Sequence, residues 1–298
     1  MPNAKEIKNR IDGITDTQKI TNAMYRISSA KLRKAKAALD LTLPFYNEIR
    51  REIKRIFRTV DDIESPYYYP LSGEHDIPGI YGYLIITSDK GLAGPFNANV
   101  IKEANRLLSE HEDNEIFVVG ERGRQYYEKR GIEIAQNFKY TAQNPTIKRA
   151  REITSCLLDK YLDGELKKIF LIYTGYENGL EMGVISTRIL PLHQAHFETT
   201  TVEAPVDKPF EFYPSVAEVL NSIAPSYVEG FIYSALVESF CCEHNARMAA
   251  MEAADRNAQE ILDSLSMQYQ HLRQAAITEE ILEVASGAAR FRDGKSEA

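Results

Sequence analysis

The sequence has little of what would assign it quickly. It contains three cysteines in 298 residues, Cys156, Cys241 and Cys242. An odd number without CxxC spacing supports neither a disulfide framework nor a zinc site. Neighbours on a helix point about 100° apart, which argues against a bridge between Cys241 and Cys242. The thiols read as buried or half-buried groups of a reducing compartment. No apolar run approaches the ~20 residues of a membrane span. The start, "MPNAKEIKNRIDGI", has neither the apolar stretch of a secretory signal nor the Arg- and Ser-rich character of a transit peptide. A soluble chain of the bacterial cytoplasm is expected.

Catalytic signatures are missing too. There is no GxSxG, HExxH or Cys/His pairing. "IITSDKGLAGPFN" at 85–97 looks at first like a phosphate loop, since an apolar run gives way to glycines before a helix. Its "GLAG" meets neither GxGxxG nor GxxxxGK[ST], and Lys90 precedes the glycines. A tight strand-to-helix turn is the expectation. Six histidines are scattered at 75, 111, 193, 196, 244 and 271. His193 and His196 lie in "LPLHQAHFETT", read as a strand end, where residues three apart face opposite sides and cannot share a metal. No catalytic residue, metal site or cofactor is expected from these patterns.

What the chain does have is charge asymmetry and periodicity. The net charge is −7, yet residues 1–60 carry 14 Lys+Arg against 6 Asp+Glu. Residues 215–298 carry 6 against 13. Ends of opposite sign around an acidic middle suggest that the ends meet. The basic end could attract phosphates, but it has few aromatics for stacking and the acidic remainder would repel a polyanion. Nucleic acid is therefore not expected as a partner.

Residues 1–60 show Ile7, Ile11, Ile14, then Ile20, Met24, Ile27, then Phe45, Ile49, Ile53, Ile56 and Val60, in steps of three and four. This is the narrow stripe of a coiled-coil seam on one long helix, with a bend allowed at Pro44. Residues 215–288 repeat the pattern through Met251, Ala254, Ala258, Ile261, Leu265, Tyr269, Leu272 and Ala276. Some seventy helical residues would extend roughly 110 Å, too long for a compact domain, so this helix needs the first one as partner. Alanines 249, 250, 253 and 254 would permit close approach. Between them, 70–214 alternates β-rich runs ("YGYLIIT", "EIFVVG", "KKIFLIYTGY", "GVISTRILPL") with helical stretches near 97–111, 121–130 and 145–162. The predicted fold is an antiparallel coiled coil of the terminal helices with an inserted Rossmann-like α/β domain.

Three stretches, taken in order, resemble a known family: "KEIKNRIDGITDTQKITNAMYRISSAKLRKA", "ITSDKGLAGPFNANVIK", and the long C-terminal run closing on "RQAAITEEILEVASGAA". They are similar to the gamma subunit of bacterial F-type ATP synthases, and the resemblance covers essentially the whole chain. It implies a central rotor stalk without a catalytic site of its own. Such a stalk turns inside a ring of alpha and beta subunits, and its foot meets the epsilon subunit and the c-subunit ring at the cytoplasmic face of the membrane. Ion flow is thereby coupled to ATP synthesis or hydrolysis. The alternative from the residues alone is a nucleotide-dependent α/β enzyme with a helical arm.

The resemblance also implies residue roles. Arg273 and Gln274 would contact a loop of one beta subunit, with Thr278 a turn further on and Met24 on the facing helix. Lys90 and Lys102 would face an acidic loop of beta, and Val284 and Gly287 would sit in an apolar bearing at the top of the ring. Pro95 after Gly94 and Glu279 depart from the family pattern. The cysteine-bearing insertion of chloroplast forms is absent, so thiol switching is not expected.

Overall fold

The computed structural model describes residues 4–59, 65–68, 79–139, 142–177, 181–192 and 212–293, with side chains of the last helix up to 285. His75, His193 and His196 lie outside the described residues. Among the described residues ten elements follow in order: α1 (Ala4–Thr59), β1 (Ile80–Ile86), α2 (Phe96–Leu108), β2 (Asn114–Val119), α3 (Glu121–Glu128), β3 (Gln136–Phe138), α4 (Ile147–Leu162), β4 (Leu166–Glu177), β5 (Glu181–Leu190) and α5 (Val216–Asp293). Pro44 and Pro225 both lie inside helices. The chain forms two compact units, Met1–Ile27 with Met248–Ala298, and Ser28–Arg247.

In the first unit, α1 and α5 run antiparallel. Gln18 Nε2 donates to Gln259 Oε1 at 3.2 Å and Asn22 Nδ2 to Asp255 Oδ1 at 3.0 Å, so a rise of four on α1 matches a fall of four on α5. On α5 the buried residues are Met251, Ala258 and Leu265, spaced by sevens, as a coiled-coil seam requires. On α1, Ile7 and Thr21 are buried, with Ile14 half-buried midway.

This seam corrects part of the expected stripe. Ile20 is 60% exposed, Ile27 56% and Ile261 49%; Leu262 takes the place assigned to Ile261, and Ala276 is exposed. A strict seven-residue repeat from Ile7 reaches Thr21, not Ile20, which stands one residue and about 100° away. Following apolar side chains misplaced the seam because a small hydroxyl residue occupies it. The Thr21 hydroxyl donates to the Gln18 carbonyl at 3.0 Å, so its burial leaves no donor unsatisfied.

The second unit is built on a five-stranded sheet of order β3-β2-β1-β4-β5. β1 pairs in parallel with β2 and β4, β2 pairs in parallel with β3, and β5 closes the edge antiparallel to β4. Residues alternate between faces with the period of two that a strand imposes. One face buries Leu84, Ile86, Phe117 and Val119 with α4, the end of α1 (Ile53, Ile56) and the first half of α5 (Leu220, Ile232, Leu236). The other buries Tyr83, Ile85, Ile116 and Val118 against Val100, Ala104 and Tyr127 of α2 and α3. The four expected strands and three helices are present; β3 is additional. Its three residues, Gln136, Asn137 and Phe138, carry no apolar run that periodicity could detect. Phe45 is exposed rather than part of the stripe, whereas Tyr46 beside it packs inward.

Gly230 of α5 shows why. A Cβ there would stand 1.8 Å from Cδ1 of Tyr46, so the ring lies directly on the α5 backbone. Gly230→Ala should therefore lower the thermal midpoint of the chain. The overpacking cost of about 1–3 kcal/mol outweighs the gain of at most about 1 kcal/mol in helix propensity. An unchanged or raised midpoint in a melt followed by circular dichroism would refute this packing.

Candidate functional site

In an open α/β sheet, ligands bind beyond the carboxyl ends of the strands where the winding direction reverses. Here that place is between β1 and β4, since the chain moves outward one way to β2 and β3 and returns on the other side through β4. The crevice is filled by α5. Cys242 is fully buried against Ala93 and Phe96, with Tyr176 and Ala246 packed alongside. Glu238 accepts from the Tyr176 backbone N–H at 2.7 Å and from the Tyr173 hydroxyl at 3.4 Å. Asn245 Nδ2 donates to the Tyr176 hydroxyl at 2.5 Å.

The glycine turn is consumed in the same way. Arg247 of α5 donates to the Gly91 carbonyl through Nε at 3.2 Å and Nη2 at 3.1 Å, and to the Lys90 carbonyl at 3.3 Å. Its Nη2 also pairs with Glu243 Oε1 at 2.5 Å, with both side chains under 10% exposed. Ser88 donates its backbone N–H to Asn97 Oδ1 at 2.9 Å and its hydroxyl to the Lys90 carbonyl at 2.7 Å. Asp89 Oδ1 accepts from the Glu121 N–H at 2.9 Å, so a carboxylate caps α3, which has no side-chain cap of its own at Gly120. The Phe96 N–H, at the start of α2, points to the Ala93 carbonyl at 3.3 Å. These groups bind helix to turn.

Burial tunes the titratable groups of this junction. Desolvation pushes the Cys242 thiol up to about 12 and Cys241 up to about 11. It raises the Glu243 carboxyl, and Arg247 pulls the other way. His244, packed edge-on against Phe240 with ring centroids 4.4 Å apart, is lowered to about 4 by desolvation, reinforced by Arg247 and Lys31. The imidazole is neutral, and its Nδ1 sits 3.3 Å from Arg247 Nη1. Among the described residues no three His, Cys, Asp or Glu side chains form a metal-binding group, and no helix is long and apolar enough to cross a membrane. Sequence reasoning missed Arg247, Glu238 and Asp89. The Glu243–Arg247 spacing of four in "CEHNAR" was the only available signal.

The residues expected from the family resemblance fall in several places. Arg273, Gln274 and Thr278 are exposed along one stretch of α5, where every side chain from 273 to 285 is exposed. Continuing the Gln18–Gln259 register puts Arg273 level with Ala4, the first described residue of α1. Thr278 donates its hydroxyl to the Gln274 carbonyl at 2.8 Å. Val284 is 74% exposed; Gly287 lies in α5 past the last described side chain. Met24 is half-buried in the seam, level with Ala253 in the same register, about 30 Å along the axis from Arg273. The structure thus groups the first three and leaves Met24 apart from them. Lys90 is exposed on the glycine turn and Lys102 on α2.

Long terminal helices paired antiparallel flank, in sequence, an α/β sheet whose reversal point is filled by α5. Residues 3–290 match the family model described as ATP synthase. The ATP synthase gamma chain of Caldanaerobacter subterraneus subsp. tengcongensis is 38% identical over 296 residues, covering 95% of this chain and 98% of the relative. That of Ruminiclostridium cellulolyticum is 36% identical over 289 residues, with 96% and 98% covered. The chain belongs to the ATP synthase gamma chain family. Its fold is similar to a chain of the Euglena gracilis mitochondrial ATP synthase, with TM-score 0.66 at 14% identity over 98% of this chain and 95% of that one. A chain of the Tetrahymena thermophila mitochondrial ATP synthase central stalk and c-ring has TM-score 0.55 at 22% identity, with 79% and 99% covered.

Two outcomes follow for the junction. Arg247→Gln strands Glu243 in a dry site and releases two carbonyls, so unfolding free energy should fall by about 3–5 kcal/mol, read from denaturant midpoints; a loss below 1 kcal/mol would show the clamp to be dispensable. A base whose folded pKa is depressed holds fewer protons folded than unfolded, so its contribution is intact above 6.5 and is lost as pH falls toward 4. His244→Gln should accordingly flatten the decline in stability across that window. An unaltered slope would assign the decline to other groups.

Proposed function

We propose that this chain is the central rotor stalk of an F-type ATP synthase and has no catalytic site of its own. Its near-full-length match to gamma chains carries the reading. The filled crevice and the occupied glycine turn support it, because they leave no cradle for a nucleotide at the usual place. The partners are the alpha and beta subunits of the catalytic ring, the epsilon subunit and the c-subunit ring. The complex sits peripherally at the cytoplasmic face of the bacterial membrane. The domain plan is helix 1–60, foot 70–214 and helix 215–288.

Coupling falls to side chains that can bind and release each turn. Arg273 and Gln274 suit a directional contact with a beta loop, since a guanidinium offers a fixed fork of donors and an amide both donates and accepts. Thr278 contributes one turn beyond them, and Met24 acts at a separate level of the coiled coil, about 30 Å along its axis. Lys90 and Lys102 face an acidic loop of beta as exposed point charges. Val284 and Gly287 belong to the bearing around the end of α5. Differential affinity for successive beta conformations, not tight binding, is what drives a rotor.

Mixing the chain with alpha and beta subunits should give a stable complex with ATPase well above that of alpha and beta alone. Arg273→Ala should lower that turnover several-fold while the complex still assembles. No complex and no gain in ATPase would overturn the reading, and unchanged turnover would remove Arg273 from the contact.

A further inference from the structure

A cavity of about 370 Å³ lies in the second unit where α1, β5 and α5 meet. That volume falls in the range of about 300–1,000 Å³ usual for small-molecule sites. Two helices present the same pattern to it. Leu43, Tyr46, Asn47 and Arg50 stand at i, i+3, i+4 and i+7 on α1, and Tyr227, Gly230, Phe231 and Ser234 repeat that spacing on α5. β5 joins them through an irregularity. On a regular strand Arg188 and Ile189 would face opposite sides. Pairing with β4 slips by one residue here, because Phe170 is opposite Arg188 while Ile169 is opposite Leu190, so Ile189 is the extra residue. A bulge on an edge strand re-aims side chains, and both Arg188 and Ile189 line the cavity.

The chemistry of the walls is one-sided. Leu43, Ile189, Leu192, Val228 and Phe231 supply apolar surface, and the Tyr46 ring, laid on the α5 backbone at Gly230, closes the space between the two helices. Arg50 and Arg188 supply two positive charges, and no carboxylate stands among the described lining residues. Glu229, between two lining residues of α5, is held by Arg151 of α4 through two bonds of 3.1 Å. Desolvation raises the Tyr227 phenol, and Arg50 is close enough to pull it the other way. Tyr68, whose backbone bridges to Leu192, is buried and its hydroxyl makes no hydrogen bond among the described residues. Apolar walls reward a hydrocarbon body, and guanidiniums bind a carboxylate through paired, charge-assisted bonds.

We infer that this cavity binds a free medium-chain carboxylic acid, its carboxylate toward Arg50 and Arg188 and its hydrocarbon body against Leu192, Val228 and Phe231. The volume, near the lower end of the range, suits one hydrocarbon chain better than the two of a membrane lipid. A nucleotide is a poorer fit, because its ribose and phosphates would face hydrocarbon walls without partners. An acid seated there touches α1, β5 and α5 at once, so its binding stabilises the folded chain by mass action. None of the side chains assigned to the beta contact lines this cavity, and the inference does not depend on the rotor reading.

The test is isothermal titration calorimetry of the full chain with octanoate and, as its uncharged counterpart, octanol, both monomeric in solution. Octanoate should bind about tenfold more tightly than octanol, the margin of a charge-assisted hydrogen bond, and should raise the thermal midpoint as its concentration rises. Arg50→Gln/Arg188→Gln should erase that preference. Comparing two ligands within one variant reads the charge contact whatever the variant's stability. Ser234→Leu, which fills the cavity, should abolish binding of both; if that variant does not fold, the arginine comparison decides alone. No binding of octanoate, equal affinity for octanol, or a preference that survives in the arginine variant would overturn the proposal. So would a chain dimer that octanoate dissociates, or capture of phosphatidylglycerol vesicles through the same arginines. Since Arg273, Gln274 and Lys90 stay intact, ATPase of the reconstituted complex tests the rotor reading separately.

Discussion

The foot of this protein depends on one buried guanidinium. Arg247 has left water, and a charge that does so must replace every hydration contact within reach. It finds Glu243 on its own helix and two carbonyls on the glycine turn. Those carbonyls are available only because the turn is wound tightly, with Leu92 and Gly94 at positive φ of 63° and 55°. The turn in turn places Asp89 on the start of α3 and Ser88 against Asn97 at the start of α2. One side chain of α5 thereby sets the first two crossovers of the sheet.

The same interaction separates this fold from its nucleotide-binding look-alikes. A doubly wound sheet normally leaves its reversal point open for a ligand. Here a helix from the far end of the chain has become the resident ligand: Cys242 supplies apolar contact, Glu238 an acceptor and Arg247 the charge that a cofactor would otherwise bring. The neutral His244 and the raised thiols belong to that dry junction. Their shifted pKa values are consequences of packing, and none faces an open cleft.

Much of this was legible in the residues. Short β-rich runs located four strands, and stripes in steps of three and four located both long helices, because burial acts on whole segments. β3 was not legible, since three mixed residues leave no repeat at all. The seam was half legible: Ile7 and Leu265 announce it, but Thr21 occupies a seam position with a side chain whose hydroxyl is satisfied within its own helix. Reading hydrophobicity alone shifts the register by one residue there and nominates Ile20 and Ile27. The Arg247 clamp was illegible for a different reason, because its partners are backbone carbonyls 156 and 157 residues away. The contacts proposed along α5 came from resemblance, as exposed side chains carry no packing signature.

The exposed end of α5 has a consequence for its local stability. From Arg273 onward it keeps helical backbone while Ile277, Ile281, Leu282 and Val284 all face solvent, 45–74% exposed. Helical turns without tertiary cover are held only by propagation from the turns before them. Their protection against amide exchange should rise steeply once apolar surroundings close over those four side chains. The stability of those last turns is thus set by what covers four side chains, not by any further change of backbone.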